Sequence, residues 1–242
     1  MHMLDIDLFE EFKKLMISNE DLYNMVTAKV LREHGFSKTE YPLHFSELVE
    51  EIEKKVYDRY LVEESKAGEK VLSKFIQMQG ASGIFNILDR FYLSLAQSRK
   101  SRAGKAFEEI IKALFKKCSY PFDEQRVING KPDFLMPSHD YFKKNAPQCI
   151  IFTAKRTLRE RWRQIATEGV RGLGFFLATT DAKVTEEQAR EMLENRIHMV
   201  VPKKLKNDIA HYGTAPNIIS FEDFFSDYLD PAMKRWKKAG VA

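Results

Sequence analysis

The sequence predicts an α/β fold: a mixed central β-sheet flanked by helices, preceded by a helical region of about ninety residues. Three observations carry that expectation. Apolar residues recur every three to four positions through the first ninety residues, as on amphipathic helices. From residue 98 short apolar runs of strand length alternate with helical stretches, the order of an α/β protein. The charge changes at the same place: residues 1–90 hold 12 Lys and Arg against 17 Asp and Glu, net −5, and the remainder holds 27 against 18, net +9. The expected division is therefore a helical region over 1–90 and an α/β region over 91–242.

In chain order, Leu4, Phe9, Phe12, Leu15 and Met16 form one apolar stripe, and Leu22, Met25, Val26, Val30 and Leu31 a second that ends near Gly35. Phe45 to Tyr60 reads as a third helix through Leu48, Ile52, Val56 and Tyr60, and Gly68 to Met78 as a fourth. The small residues from Gln79 to Gly83 mark a break before Ile84 to Leu95. Ala106, Phe107, Ile110, Ile111 and Leu114 then share one face of a helix whose approach, SRKSR, is basic. Strand character follows at Gln125 to Ile128, Asp133 to Met136, Cys149 to Phe152, Gly174 to Ala178 and Ile197 to Val201, with Asn129-Gly130 as a turn between the first two. Thr185 is placed to cap a helix, with Glu187 and Gln188 beside it.

Composition narrows the function classes. With 242 residues, 44% of them hydrophobic, the chain can bury a sizeable core. Its apolar runs fall short of a membrane span and its acidic, amphipathic start is unlike a signal peptide, so a soluble cytoplasmic protein is expected. Cys118 and Cys149 lack metal-ligand spacing and are expected to be reduced core residues; the six histidines show no ligand spacing either. The basic second part is where a nucleic-acid surface is expected, because phosphate neutralisation drives such binding.

The chemistry centres on KPDFL and TAKRTLRERWRQIATEG. Hydrolysis of a phosphodiester needs an activated water and charge stabilisation, which carboxylates holding Mg2+ beside a lysine provide. A hairpin at Asn129-Gly130 would bring Asp133 next to the strand that ends in Lys155. The usual pattern is Pro-Asp followed by acid-x-Lys; here Pro132-Asp133 is present but Thr153 stands at the acid position. Glu168, thirteen residues beyond Lys155, is expected to swing back from a following helix and take the vacant ligand place. Arg159, Glu160 and Arg161 suit consecutive C·G pairs, since a guanidinium fork fits guanine O6 and N7 and a carboxylate accepts from cytosine N4. Trp162 falls on the apolar stripe with Ile165 and is expected in the core.

SRKSRAGKAFEE, KPDF, TAKRTLRERWRQ and Glu168 occur in the order and spacing of the type II restriction endonucleases related to EcoRII, PspGI and NgoMIV, and the sequence resembles that group from about residue 97 to 178. The resemblance implies a restriction-endonuclease-like core. It makes Asp133 and Glu168 the Mg2+ ligands, Lys155 the residue at the attacking water and Glu108 a further acid near the metal. It makes Arg159, Glu160 and Arg161 readers of the CC:GG part of targets such as CCGG, CCNGG or CCWGG. Gln97 would touch the minor-groove edge of a G·C pair, and Arg99, Lys100 and Arg102 would hold the DNA backbone. A homodimer on double-stranded DNA, one half-site per subunit, and a companion DNA methyltransferase are further implications. Residues 1–90 would extend the dimer interface or clasp DNA. Two alternatives remain at this point: a structure-guided repair or recombination nuclease with the same core, which would not need Arg159, Glu160 and Arg161, and a non-catalytic DNA-binding regulator with a helix-turn-helix near its N-terminus. The net −5 of residues 1–90 argues against the second.

Overall fold

The computed structural model describes residues 7–125, 132–158 and 174–241. Helix α1 (Leu8–Leu15) is capped by Asp7, whose side chain accepts from the Phe9 N–H, and α2 (Asn19–His34) is capped by Ser18. Gly35 ends α2 at φ +66, the left-handed conformation that a glycine adopts without a Cβ clash. A 3-10 turn (Tyr41–His44) leads into α3 (Phe45–Cys118), which is interrupted once, at Gly80 with φ 73 and ψ 164. That conformation is essentially confined to glycine, and it reverses the chain. The arms 45–79 and 81–118 run back along each other: Glu64 pairs with Arg99, Arg102 lies over the Tyr60 ring, and Val71 and Phe75 share a core with Ile84, Phe91 and Leu95.

The break expected at Gln79 to Gly83 is thus present, but the expected third and fourth helices are one arm. Nothing between Tyr60 and Gly68 interrupts helical hydrogen bonding, and Arg59 and Glu63 form an i,i+4 ion pair of 2.7 Å across that stretch. The segment expected to begin near residue 98 likewise continues the second arm, so residue 90 lies inside α3.

Beyond α3 come β1 (Asp123–Glu124), β2 (Phe134–Met136), α4 (His139–Asn145), a 3-10 turn (Ala146–Gln148), β3 (Ile150–Ala154) and β4 (Gly174–Ala178). After β4 follow α5 (Glu186–Glu194), β5 (Ile197–Val201), α6 (Lys203–Asp208), α7 (Ala210–Thr214), β6 (Ile218–Ser220), α8 (Phe221–Phe224), a π-helical turn (Phe225–Leu229) and α9 (Asp230–Lys238). Among the described residues six strands form one sheet, in sequence order. β1, β2 and β3 are antiparallel neighbours, and β3 to β6 are parallel, which makes the sheet mixed as expected. Of the strand expected over Gln125 to Ile128, residues 126–128 lie outside the described residues, and Gln125 itself turns out of β1 with φ 47. Asn129-Gly130 lies outside the described residues, so the expected turn there is not among the observed features. Thr185 caps α5 in a full capping box with Gln188.

Side chains alternate across the sheet. Phe134, Met136, Ile150, Phe152, Ala154, Phe176, Ala178 and Val200 join one core, and Leu135, Ile151, Phe175, Leu177, Met199 and Val201 join another on the opposite face. The first core also contains Phe107, Ile110, Ile111 and Leu114 of α3, as the apolar stripe predicts, together with Val30, Phe45 and Ile52 from the N-terminal part of the chain. Ser46 fixes that junction by donating from its N–H and its hydroxyl to the two oxygens of Glu222, each at 2.8 Å. Both cysteines are free, and burial pushes each thiol up to about 12, which keeps them unreactive at neutral pH. Among the described residues no helix is long and apolar enough to cross a membrane.

Candidate active site

Strand register brings the first three groups together. Phe134 faces Phe152 across the antiparallel β2–β3 pair, so Asp133, one residue earlier, stands opposite Thr153, one residue later. Alternation then puts Asp133, Thr153 and Lys155 on one face of the sheet. The contacts agree. Asp133 is 5% exposed, and its Oδ2 accepts from the Thr153 hydroxyl at 3.0 Å and from the Ala154 N–H at 2.8 Å. Lys155 Nζ donates to both carboxylate oxygens, at 3.2 Å and 2.9 Å, while its side chain keeps 35% of its surface in solvent. The Lys155 backbone is itself anchored, its N–H donating to Ala178 O at 2.9 Å. Thr153 therefore does not leave a gap where an acid is customary. Its hydroxyl orients Asp133, a role that strand pairing makes predictable once the register is known.

α3 supplies the next group. Glu108 sits beside the buried Phe107 and faces the Asp133–Lys155 pair. Burial pushes its carboxyl above the ordinary range, the negative charge of Asp133 pushes it further, and Lys155 and a hydrogen bond from the Gln125 side chain oppose the rise. Two neighbouring carboxylates, with the charged form of Glu108 disfavoured by burial and by the charge of Asp133, are the donor set a hard divalent cation would relieve. Mg2+ is bound by one or two carboxylates together with substrate phosphates and water, so Glu108 and Asp133 fit such an ion. Among the described residues no group of three or more His, Cys, Asp or Glu side chains could hold a metal. Glu168, the third expected acid, lies outside the described residues, as do Arg159, Glu160, Arg161 and Trp162.

The remaining expected contacts lie along the second arm of α3. Gln97 precedes Glu108 by eleven residues, three helical turns, and therefore shares its face. Gln97 and Lys100 are exposed. Arg99 and Arg102 already have partners inside the chain. Arg99 forks onto Glu64, with its Nε 2.9 Å from Oε2 and its Nη2 closer still to Oε1, and the Tyr60 hydroxyl donates to the same carboxylate. Arg102 donates to Asn19 Oδ1 at 2.7 Å. These two arginines line a groove of about 530 Å³ with Tyr23, Tyr57 and Tyr60, and Arg156, next to Lys155, closes it through an ion pair to Glu53 at 2.6 Å. The sequence gives no sign of Glu64, Glu53 and Asn19 because each meets its arginine only through tertiary packing: Glu64 through the hairpin at Gly80, Asn19 through α2 against α3, and Glu53 through α3 against the end of β3.

A family model described as EcoRII C terminal matches residues 60–225. The chain is 32% identical over 156 residues to the type II restriction enzyme SsoII of Shigella sonnei, 59% of this chain and 50% of that protein. It is 35% identical over 130 residues to the type II restriction enzyme EcoRII of Escherichia coli, 50% of this chain and 32% of that one. The chain thus matches half or less of the length of these relatives. Among solved structures it resembles metal-depleted Ecl18kI in complex with uncleaved, modified DNA, with a TM-score of 0.79 and 26% identity over 97% of this chain and 84% of the other. The PspGI–substrate DNA complex, at TM-score 0.69 and 21% identity over 96% and 98%, shares the fold.

Proposed function

The chain belongs to the EcoRII C-terminal family and has an α/β restriction-endonuclease fold, and from that premise we propose that it is a type II restriction endonuclease. In this reading it cuts double-stranded DNA at a palindromic or interrupted site with CC and GG halves, as a homodimer in the cytoplasm alongside a methyltransferase that protects the host's own sites. The observation that carries the reading is the Asp133–Lys155 pair with Glu108 turned against it, in a chain of this family.

The reaction is hydrolysis: a water oxygen bonds to phosphorus, the bond from phosphorus to the leaving oxygen breaks, and that oxygen takes up a proton. Bound Mg2+, held by Asp133, Glu168 and Glu108, would supply positive charge to the phosphate and lower the cost of the developing negative charge. Lys155 does the positioning. Its ammonium has three donors, two of which are given to Asp133, so the third is available to hold the attacking water or a phosphate oxygen at the strand end. Asp133 is fixed in turn by Thr153 and the Ala154 N–H, which keeps the lysine from swinging away. Arg159, Glu160 and Arg161 read the C·G pairs, Gln97 touches the minor groove along the face it shares with Glu108, and Lys100 holds the backbone. Residues 1–90 support the dimer or clasp the DNA.

Incubating the purified protein with unmethylated phage DNA, with and without Mg2+, and sequencing the product ends tests the whole reading. Discrete fragments whose ends share CC and GG halves support it. Sequence-independent or branch-specific cutting would instead identify a repair or recombination nuclease, and Mg2+-independent binding without cleavage a regulator.

A further inference from the structure

Only three residues separate Lys155 from Arg159, and the structure grips that short connection from two sides. The loop after β4 holds its backbone. Thr179 and Thr180 donate their hydroxyls to Arg156 O at 3.2 Å and 3.5 Å, and Asp181 Oδ2 accepts from the Leu158 N–H at 2.9 Å. The loop is itself well anchored: Thr179 and Tyr212 are fully buried, the Tyr212 hydroxyl donates to Asp181 O at 2.7 Å, and Asp181 Oδ1 accepts from the Lys183 N–H at 3.0 Å. On the other side the Arg156 side chain is paired with Glu53 of α3. Leu158, 1% exposed, pins the end of the connection into the second core.

We infer that Asp181 is a positioning residue that couples catalysis to base reading, by holding the Leu158 amide and so fixing, relative to Lys155, the point from which the base-reading segment leaves. The inference rests on the endonuclease reading above and assigns a role to a residue outside the Glu108, Asp133 and Lys155 cluster. A carboxylate is suited to the task because an N–H donated to a charged acceptor makes a shorter and stronger bond than one donated to a neutral group. Losing it loosens the Leu158 end of the connection and leaves the contacts between Asp133 and Lys155 in place. Reacting groups displaced by about an ångström lose rate steeply, and a displaced arginine fork loses its base-pair preference at the same time.

The test compares the unmodified protein with Asp181→Ala and Asp181→Asn on cognate duplexes and on duplexes altered at one C·G pair. Asp181→Ala should lower kcat at saturating cognate DNA roughly ten- to hundredfold and shrink the ratio of cognate to altered-site cleavage about fivefold or more. Asp181→Asn should recover most of that ratio, since its amide oxygen can still accept from Leu158. A merely structural residue would lower the active fraction on every duplex alike, so an unchanged ratio in Asp181→Ala overturns the coupling. Amide hydrogen exchange supplies a readout that does not depend on cleavage. Faster exchange at Leu158 in Asp181→Ala supports the grip, and unchanged exchange overturns it, even if the unmodified protein cuts no DNA and the endonuclease reading itself fails.

Discussion

The strand ends around Asp133 and the basic stretch of α3 from Gln97 to Arg102 were both expected to meet DNA, yet they are built in opposite ways. At the strand ends the charged groups find each other through strand register and turn toward solvent at Lys155. On α3, Arg99 and Arg102 turn back into the protein, onto Glu64 and Asn19, and leave Lys100 and Gln97 outside. A cluster of basic residues is thus not one surface. Arg99 is held by the buried carboxylate of Glu64 and Arg102 by the amide oxygen of Asn19, so both brace the helices, whatever else they do, while Gln97 and Lys100 project outward.

The largest effect that would sharpen this contrast is at the strand ends. Lys155→Ala and Asp133→Ala should each reduce Mg2+-dependent cleavage by roughly 10²–10⁴-fold while a folded protein remains, measured as single-turnover rates beside circular dichroism. Activity near the unmodified level in either variant would remove the site from its place in the mechanism. Next comes Arg99→Ala, which takes its ion partner from Glu64, whose side chain is 9% exposed, and leaves it the Tyr60 hydroxyl. The expected loss is about 1–3 kcal/mol of folding stability, discounted because the Arg99 side chain is itself nearly half exposed. Combining it with Glu64→Gln should restore much of that loss; a fall in DNA affinity with no change in denaturant midpoint would instead return Arg99 to phosphate binding.

A smaller, pH-dependent effect is expected at Glu108. Burial and then Asp133 raise its carboxyl, so folding disfavours its charged form. That cost is absent below the ordinary carboxylate range and is carried by the fold as pH rises through the raised value. Glu108→Gln should therefore melt higher than the unmodified protein at about pH 8 in metal-free buffer, with the difference closing by about pH 4. The reverse trend would mean that Glu108 is stabilised as an anion where it sits. The smallest change belongs to Lys100→Ala, which should weaken binding to all duplexes alike and lower the slope of log K against log salt by about one unit.

How much of this was readable in advance depended on the range of the interactions. Strands Phe134–Met136, Ile150–Ala154, Gly174–Ala178 and Ile197–Val201 fall close to the expected runs because local apolar pattern decides them. The capping box at Thr185 and the break at Gly80 are equally local. The last forty residues went unassigned. There β6 and α9 are short, and what holds them is distant: Trp236 Nε1 donates to Gln148 O at 3.0 Å. In the site, Asp133 and Lys155 were legible from spacing, whereas the hydroxyl of Thr153 and the carboxylate of Asp181 act through partners 20 and 23 residues away. No periodicity encodes such pairs.

The seam between the two ends of the chain also governs when the molecule can come into being. Phe45 packs against Phe221 and Phe225 at 5.1 Å and 4.7 Å, and Ser46 is bonded to Glu222. On a ribosome the first arm of α3 emerges long before those partners, and its face toward them stays wet until residues beyond 220 have been made. The Phe152 ring, on the strand that leads to Lys155, waits for Phe224 in the same way. A chain made only as far as β3 therefore lacks the packing behind the strand that carries Lys155, and the Asp133–Lys155 pair can settle only after the residues around Phe224 have followed.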